Sequence, residues 1–473
     1  MIRRLPLVAL ALLAGCDLAP KYVRPETPVP PAWPTGAAYS RQAATDQKPL
    51  PWSAVITDPK LRTLMTRALA ENRDLRAALA NVASARALYR VQRAEQLPTV
   101  TADAGASFSD RGSAQSSNQA QGSTQAQTSY SADIGISAFE IDLFGRVRNE
   151  TRAALETYLA TEEGARSTRI VLIGELATAY ATLAADQDLL AVAQDTAKSA
   201  QRSLELASAL NRAGLSGKLD VHQAETVLQQ ARSDVEATST QVAQDCNALA
   251  LLVGAPVEDA LLPVSLAELG RGIGATPAGL PSEILLARPD VLAAEHRLRA
   301  AYADIGAARA AFFPRISLTA AIGVASTALS SLFSGGALAW SAAPSASLPI
   351  FGGGNRGNLD YSKAQRDLTL AQYEKAVQTA FSEVADGLAR AGTIDRQQAA
   401  QRALVEASRK STDLADQRYR AGIDTYLNVL DSQRTLYGAR QSQIATELAA
   451  ITSRIDLARA LGQDENPPRP GEE

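Results

Sequence analysis

The chain has 473 residues, more than one compact hydrophobic core accommodates, so it holds two or more domains or an elongated repeated architecture. Aromatic residues make up only 5% while hydrophobic residues reach 46%, a balance that favours long, closely packed helices over a bulky globular core. A formal net charge of −3 leaves no basic footprint and argues against nucleic acid as a partner.

Arg3 and Arg4 form a basic start, Leu5 to Leu13 a short apolar run, and Leu13-Ala14-Gly15-Cys16 closes it with small residues before a cysteine. The run is too short to remain in a bilayer as a helix, so residues 1–15 read as a cleaved export signal. Leu-Ala-Gly-Cys resembles the bacterial lipobox, which implies a covalent lipid on Cys16. Cys246 alone then remains, so no intramolecular disulfide can form, and it reads as a small residue in a helix seam. Residues 16–58 are proline-rich without apolar periodicity and read as an extended tether. No later segment offers the roughly 18 uninterrupted apolar residues of a spanning helix, so any membrane crossing must be made by a barrel.

The remainder is written twice. Arg212-Ala213-Gly214 recurs as Arg420-Ala421-Gly422, Asp74 to Pro98 as Asp290 to Pro314, and Phe144-Gly145 as Phe351-Gly352. Copies this long are domain-sized, unlike solenoid units, and divide the chain into a first repeat at 59–255, a linker at 256–282, a second repeat at 283–463 and a disordered tail at 464–473. Each repeat reads helix, strand, loop, strand, long helix, turn, helix.

The strands fall at about 99–108, 129–139, 315–325 and 340–350. In the first, Val100, Ala102, Ala104, Ala106 and Phe108 alternate with Thr101, Asp103, Gly105 and Ser107; in the second, Tyr130, Ala132, Ile134, Ile136 and Ala138 alternate with polar or small partners. Four such runs in an exported chain fit membrane-barrel strands, apolar side towards lipid and polar side towards a lumen. Ser109 to Thr128, rich in Ser, Gln and Asn, reads as a surface loop, with Ser326 to Leu338 as its counterpart. Four strands are fewer than the roughly eight of the smallest membrane barrels, so the chain must oligomerise, and a dimer, trimer or tetramer would each serve.

Between strands and tips the period changes. Leu172, Leu176, Ala179, Leu183, Leu190, Ala193 and Ala197 follow 3-4 spacing, with Asp186 as one polar interruption. A helix from Val147 to Asn211 would be roughly 100 Å long at about 1.5 Å per residue, more than a globular core needs. Gly214 and Gly422 stand where such helices end and reverse, marking hairpin tips at 211–218 and 419–426 on the side away from the strands.

Lipobox, "APKYVRP", two strand pairs, and twin "RAG" tips before "LDVHQAE" and "LNVLDSQ" together resemble the outer membrane factors, the TolC/OprM-like channels, most closely the NodT-type efflux lipoproteins. The resemblance covers nearly the whole mature chain. It implies a mainly α fold with a membrane β-barrel part: a homotrimer sharing a twelve-stranded barrel, a periplasmic α-barrel of coiled coils and a mixed equatorial region drawing on about Gly254 to Pro281 and the tail. It implies, as partners, a periplasmic adaptor, an inner-membrane pump of the resistance-nodulation-division type and outer-membrane lipid. Arg212, Gly214, Leu215, Ser216, Arg420, Gly422 and Ile423 would contact the adaptor. Asp424 and Asp431 match acidic positions at the family's periplasmic gate, whereas Asn428 stands where one branch has a second ring aspartate. Asp17, directly after Cys16, departs from the pattern, because aspartate there commonly marks inner-membrane retention in enteric bacteria; the four barrel-like strands outweigh it.

Catalytic chemistry finds no footing. His222 and His296 lie in different repeats without a metal-ligand motif, "FGGGNRGN" lacks the Lys-Ser/Thr of a phosphate loop, and no serine sits in a nucleophile elbow. The sequence thus points to an outer-membrane efflux duct with no cofactor beyond the lipid. A type I protein secretion duct is the alternative, and a structural periplasmic coiled-coil lipoprotein a third reading.

Overall fold

The computed structural model describes residues 17–39, 51–109, 127–274 and 281–462. The export signal, the lipid-bearing Cys16, most of the Ser/Gln-rich loop and the tail at 464–473 lie outside the described residues. The elements run α1 (Trp52–Val55), α2 (Pro59–Glu71), α3 (Arg73–Ala94), β1 (Val100–Ser109), β2 (Gln127–Glu140), α4 (Arg146–Arg212), α5 (Lys218–Val253), α6 (Leu266–Leu269), α7 (Pro289–Ala310), β3 (Arg315–Ser326), β4 (Leu338–Ser347), α8 (Gly354–Arg420) and α9 (Tyr426–Ala460). Helices α4 and α8 have the same length, 67 residues.

Chain contacts divide these elements into two compact units. One combines the segment ending at Pro25 with Ala83–Ala160 and Glu295–Gln372; the other combines Glu26–Val82, Thr161–Ala294 and Tyr373 onwards.

The first unit is built on an antiparallel sheet in the order β1-β2-β3-β4. Each repeat contributes one hairpin, and β2 against β3 joins them, with Ile134 opposite Ile322 and Ala132 opposite Val324. Register assigns the faces, since directly opposed residues share one. It corrects one expectation: Ala138 leaves the apolar series. The β2–β3 register slips between Ile136 and Phe139, so Phe139 instead lies opposite Leu318. Ala138 is the bulged residue, with φ of 50° and its N–H donated to the Thr319 hydroxyl at 3.1 Å. β4 also stops short of the expected 350, at Ser347, two residues before Pro349, which has no N–H to give a ladder. On the polar face Asp103 lies opposite Asp133, and Asp133 opposite Gly323, where a Cβ would come within 2.4 Å of the Asp133 Cβ. β1 and β4 are exposed along their whole lengths, and their outer edges have no strand partner among the described residues.

The N-terminal segment is extended but fastened. Asp17 accepts from Asn149 Nδ2 at 3.1 Å and Arg152 Nη1 at 2.9 Å, and Arg309 donates to the Leu18 carbonyl at 3.0 Å. Glu295 on α7, its side chain only 2% exposed, accepts from the Tyr22 hydroxyl at 3.0 Å, from Arg24 Nη2 at 2.6 Å and from Arg299 Nη2 at 2.6 Å. Burial opposes the Glu295 charge, but the bonds from Arg24, Tyr22 and Arg299 outweigh it and hold the carboxyl below its ordinary range. Within the second unit the chain continues in the same manner: Ser282 donates to the Pro31 carbonyl at 2.7 Å, and Trp33 stacks on Phe381 with centroids 4.9 Å apart.

The second unit holds the main hydrophobic core. Leu172, Leu176, Tyr180 and Leu183 of α4 meet Leu249 and Val253 of α5, Leu61, Leu64 and Met65 of α2, and Ile451 and Ile455 of α9. The apolar stretch of α4 thus has a protein environment; it is long and apolar enough to span a bilayer, yet more than half buried here. The segment after α5 packs onto this core. Tyr180 donates to the Leu261 carbonyl at 3.0 Å, Leu266 N–H to Asp188 at 3.0 Å, and Ile273 bridges Ile56.

Because Glu295 gathers both Tyr22 and Arg24, its substitution should free the strap before it unfolds the sheet unit. Charge-assisted hydrogen bonds contribute about 1.5–3 kcal/mol each, so Glu295→Gln should raise amide exchange at residues 18–24 by roughly ten- to hundredfold while leaving β2 and β3 protected. Hydrogen exchange with mass spectrometry reads both segments in one experiment.

Candidate functional site: the paired hairpin tips

Both tips fold by the same backbone device. At the end of α4, Gly214 N–H bonds the Asn211 carbonyl at 2.9 Å and Leu215 N–H reaches back to Leu210 at 2.9 Å; at the end of α8, Gly422 bonds Tyr419 at 3.0 Å and Ile423 reaches Arg418 at 3.0 Å. This is a Schellman closure around a left-handed residue, and the glycine φ values are 72° and 69°. A side chain at either glycine would meet nothing within 4 Å, so conformation alone selects glycine there.

The two tips share one small core. Ala207 of α4 and Ala224 of α5 pack with Tyr419, Tyr426, Val429 and Leu430, and the Tyr419 and Tyr426 rings lie 5.4 Å apart. Gln433 of α9 donates to Ser203 of α4 at 3.3 Å, and Tyr437 to Asp234 of α5 at 3.1 Å. The duplicated hairpins are therefore held together side to side. Four apolar side chains stay outside this core at equivalent positions of the two copies: Leu215 and Ile423 are 75% and 66% exposed, Leu219 and Leu427 67% and 59%.

The expected polar residues behave differently from one another. Arg212 is exposed, and Arg420 pairs with Asp416 at 2.8 Å. The Ser216 hydroxyl donates back to Ala207, and its carbonyl accepts from Asn211 at 2.8 Å. At the corresponding place in the second tip, Asp424 accepts from its neighbour Thr425 N–H at 2.9 Å, from Asn428 Nδ2 and from Arg418 Nε at 3.2 Å. The Thr425 N–H, Asn428 and Arg418 together hold its carboxyl below the ordinary range. Asp424 and Asn428 are thus brought together, whereas Asp431 is exposed one and a half turns along α9 with no ion pair among the described residues. The Arg418 contact has no signal in the sequence, because it depends on how tightly the turn closes.

Neither histidine enters a site: His296 pairs with Glu156 at 2.6 Å, and His222 lies 3.5 Å from Glu225. Among the described residues no three His, Cys, Asp or Glu side chains converge as a metal-ligand set.

A sequence model of the outer membrane efflux proteins matches residues 64–255 and 280–463, most of both repeats. The chain belongs to the outer membrane efflux protein family. Its relatives include the solvent efflux pump outer membrane protein SrpC of Pseudomonas putida, 45% identical with 97% of this chain and 98% of that one covered. The outer membrane protein OprJ of Pseudomonas aeruginosa is 42% identical, over 96% and 94%. Among solved structures, a membrane protein from Pseudomonas aeruginosa is 40% identical with a TM-score of 0.84, covering 94% of this chain and 97% of that one. The open state of the Neisseria gonorrhoeae MtrE outer membrane channel is 33% identical with a TM-score of 0.81, over 94% and 98%. As a family member this protein is an outer-membrane efflux channel component, with the mainly helical fold and small strand set of these channels.

Since strain rather than contact decides the tip glycines, Gly214→Ala and Gly422→Ala should each cost only about 1–2 kcal/mol, the penalty of a left-handed non-glycine residue. Denaturant melts of the two variants should agree within error.

Proposed function

We propose that three copies close their four-stranded sheets into one barrel, anchored by lipid on Cys16, and that the tube passively conducts small toxic compounds outward. An inner-membrane pump of the resistance-nodulation-division type selects the cargo and a periplasmic adaptor docks on the hairpin tips; the channel supplies a path and no chemistry. The observation that carries this reading is the sheet whose two outer edges have no strand partner among the described residues, edges that in a membrane must be satisfied by neighbouring copies. Relatives named for solvents, as SrpC is, support small-molecule cargo over secreted protein.

At the tips, the matched apolar pairs Leu215 with Leu219 and Ile423 with Leu427 support an adaptor contact made the same way on both copies. In this reading Asp431 contributes most to cation preference at the entrance, because its carboxylate is exposed and makes no ion pair among the described residues, while Asp424 acts through its bonds to Arg418 and Asn428 as a brace for the turn.

Single-channel recording tests the gate. Asp431→Ala should lower cation preference clearly and Asp424→Ala only slightly, and equal selectivity in wild type and Asp431→Ala would remove the assigned role. Leu215→Asp with Ile423→Asp should abolish resistance to dyes and solvents in a deletion strain while the oligomer persists on a native gel. Full resistance in that variant would sink the docking assignment.

A further inference from the structure

Asp186, the polar interruption in the apolar series of α4, faces Asp245 of α5 closely enough for the Asp245 charge to act on its carboxyl, at a seam where Leu183 and Ala184 of α4 share one hydrophobic cluster with Cys246 and Leu249 of α5. We propose that Asp186 and Asp245 share one proton, forming a latch that closes the α4–α5 seam in mildly acidic surroundings and loosens it when the proton passes to solvent.

The duplication supplies an internal control. The equivalents of Asp186 and Asp245, 208 residues later, are Ile394 and Ser453, and both are buried in the α8–α9 hairpin, at 4% and 8% exposure. An apolar and a small side chain therefore suffice to pack this layer. The first hairpin carries two acids instead, an arrangement that repels unless a proton lies between them.

Hydrogen bonding leaves a place for that proton. Asp245 Oδ1 accepts from Gln241 Nε2 at 3.0 Å, whereas Oδ2 is buried and has no donor among the described residues, the place that a proton on Asp186 would fill. Neither acid makes an ion pair among the described residues. The titratable groups around them offer little compensation. Asp188 on α4 is turned to the Leu266 N–H, Cys246 follows on α5, Asp259 comes from the loop after α5, and Glu447 from α9. The groove beside Asp245 adds Glu175, Asp456 and Arg459, and Arg459 is 3.8 Å from Asp456.

Burial first, and then the Asp245 carboxylate, push the Asp186 carboxyl up from 3.8 to about 7. The sign follows from linkage. A carboxyl whose folded value is raised gives stability that is complete below its ordinary range and is lost as pH climbs through the folded value. The seam should loosen near neutrality, in a window where ordinary carboxylates no longer titrate.

Difference infrared spectroscopy of the purified, detergent-extracted channel tests the shared proton directly. Wild type should show a protonated-carboxyl carbonyl band that disappears as pH is raised from about 6 to about 8, and Asp186→Asn and Asp245→Asn should each lose it. Thermal melts give a second readout: the wild-type midpoint should fall as pH rises from about 4 to about 7 and level off above, and the double variant Asp186→Ile with Asp245→Ser, which copies the second hairpin, should flatten that fall. Absence of the band in wild type, its survival in both Asn variants, or an equal fall in the double variant would each overturn the latch.

Discussion

Backbone hydrogen bonding at the sheet edges governs this molecule. Among the described residues β1 and β4 are paired on one side only and present N–H and C=O groups outward, and hydrocarbon offers those groups no partner. A soluble sheet can leave an edge wet, and a membrane sheet cannot. Everything else in the chain is compatible with that demand: the strands run 10 to 14 residues, long enough to cross a bilayer, and the main hydrophobic core is built from helices.

Much of this was legible in the residues because two periods coexist in one chain. Alternation over Val100 to Phe108 and Ile316 to Val324 gives strands, and 3-4 spacing over Leu172 to Ala197 gives a helix. The duplicated "RAG" marks both tips, since the left-handed closure needs glycine at the same point in each. What stayed hidden depends on contacts between distant segments. Nothing in the proline-rich start announces that Tyr22 and Arg24 will seek Glu295, because an extended segment has no period to read. The bulge at Ala138 is likewise invisible to alternation, which assumes an unbroken register. Asp186 was visible as an exception, but Asp245 as its counterpart was not, because their meeting depends on where the hairpin turns.

The tips illustrate how similar sequences take on different electrostatics. Ser216 and Asp424 occupy equivalent places in turns with the same hydrogen bonds, yet one closes on a carbonyl and the other gathers an arginine and an asparagine. The shared core of Tyr419, Tyr426, Ala207 and Ala224 holds these unlike tips together, so a change in one hairpin is felt by its twin through packing.

The β2–β3 ladder gives the duplication its lasting effect. A half-length ancestor would have had to form that ladder between separate, identical molecules, and any mutation would then have appeared at every tip and every seam at once. Joining the halves through Ile134 and Ile322 within one polypeptide ended that obligation. Each hairpin can carry its own residues, so acids stand at one tip and one seam while the matching positions of the other hairpin, Ser216 for the tip and Ile394 with Ser453 for the seam, stay uncharged.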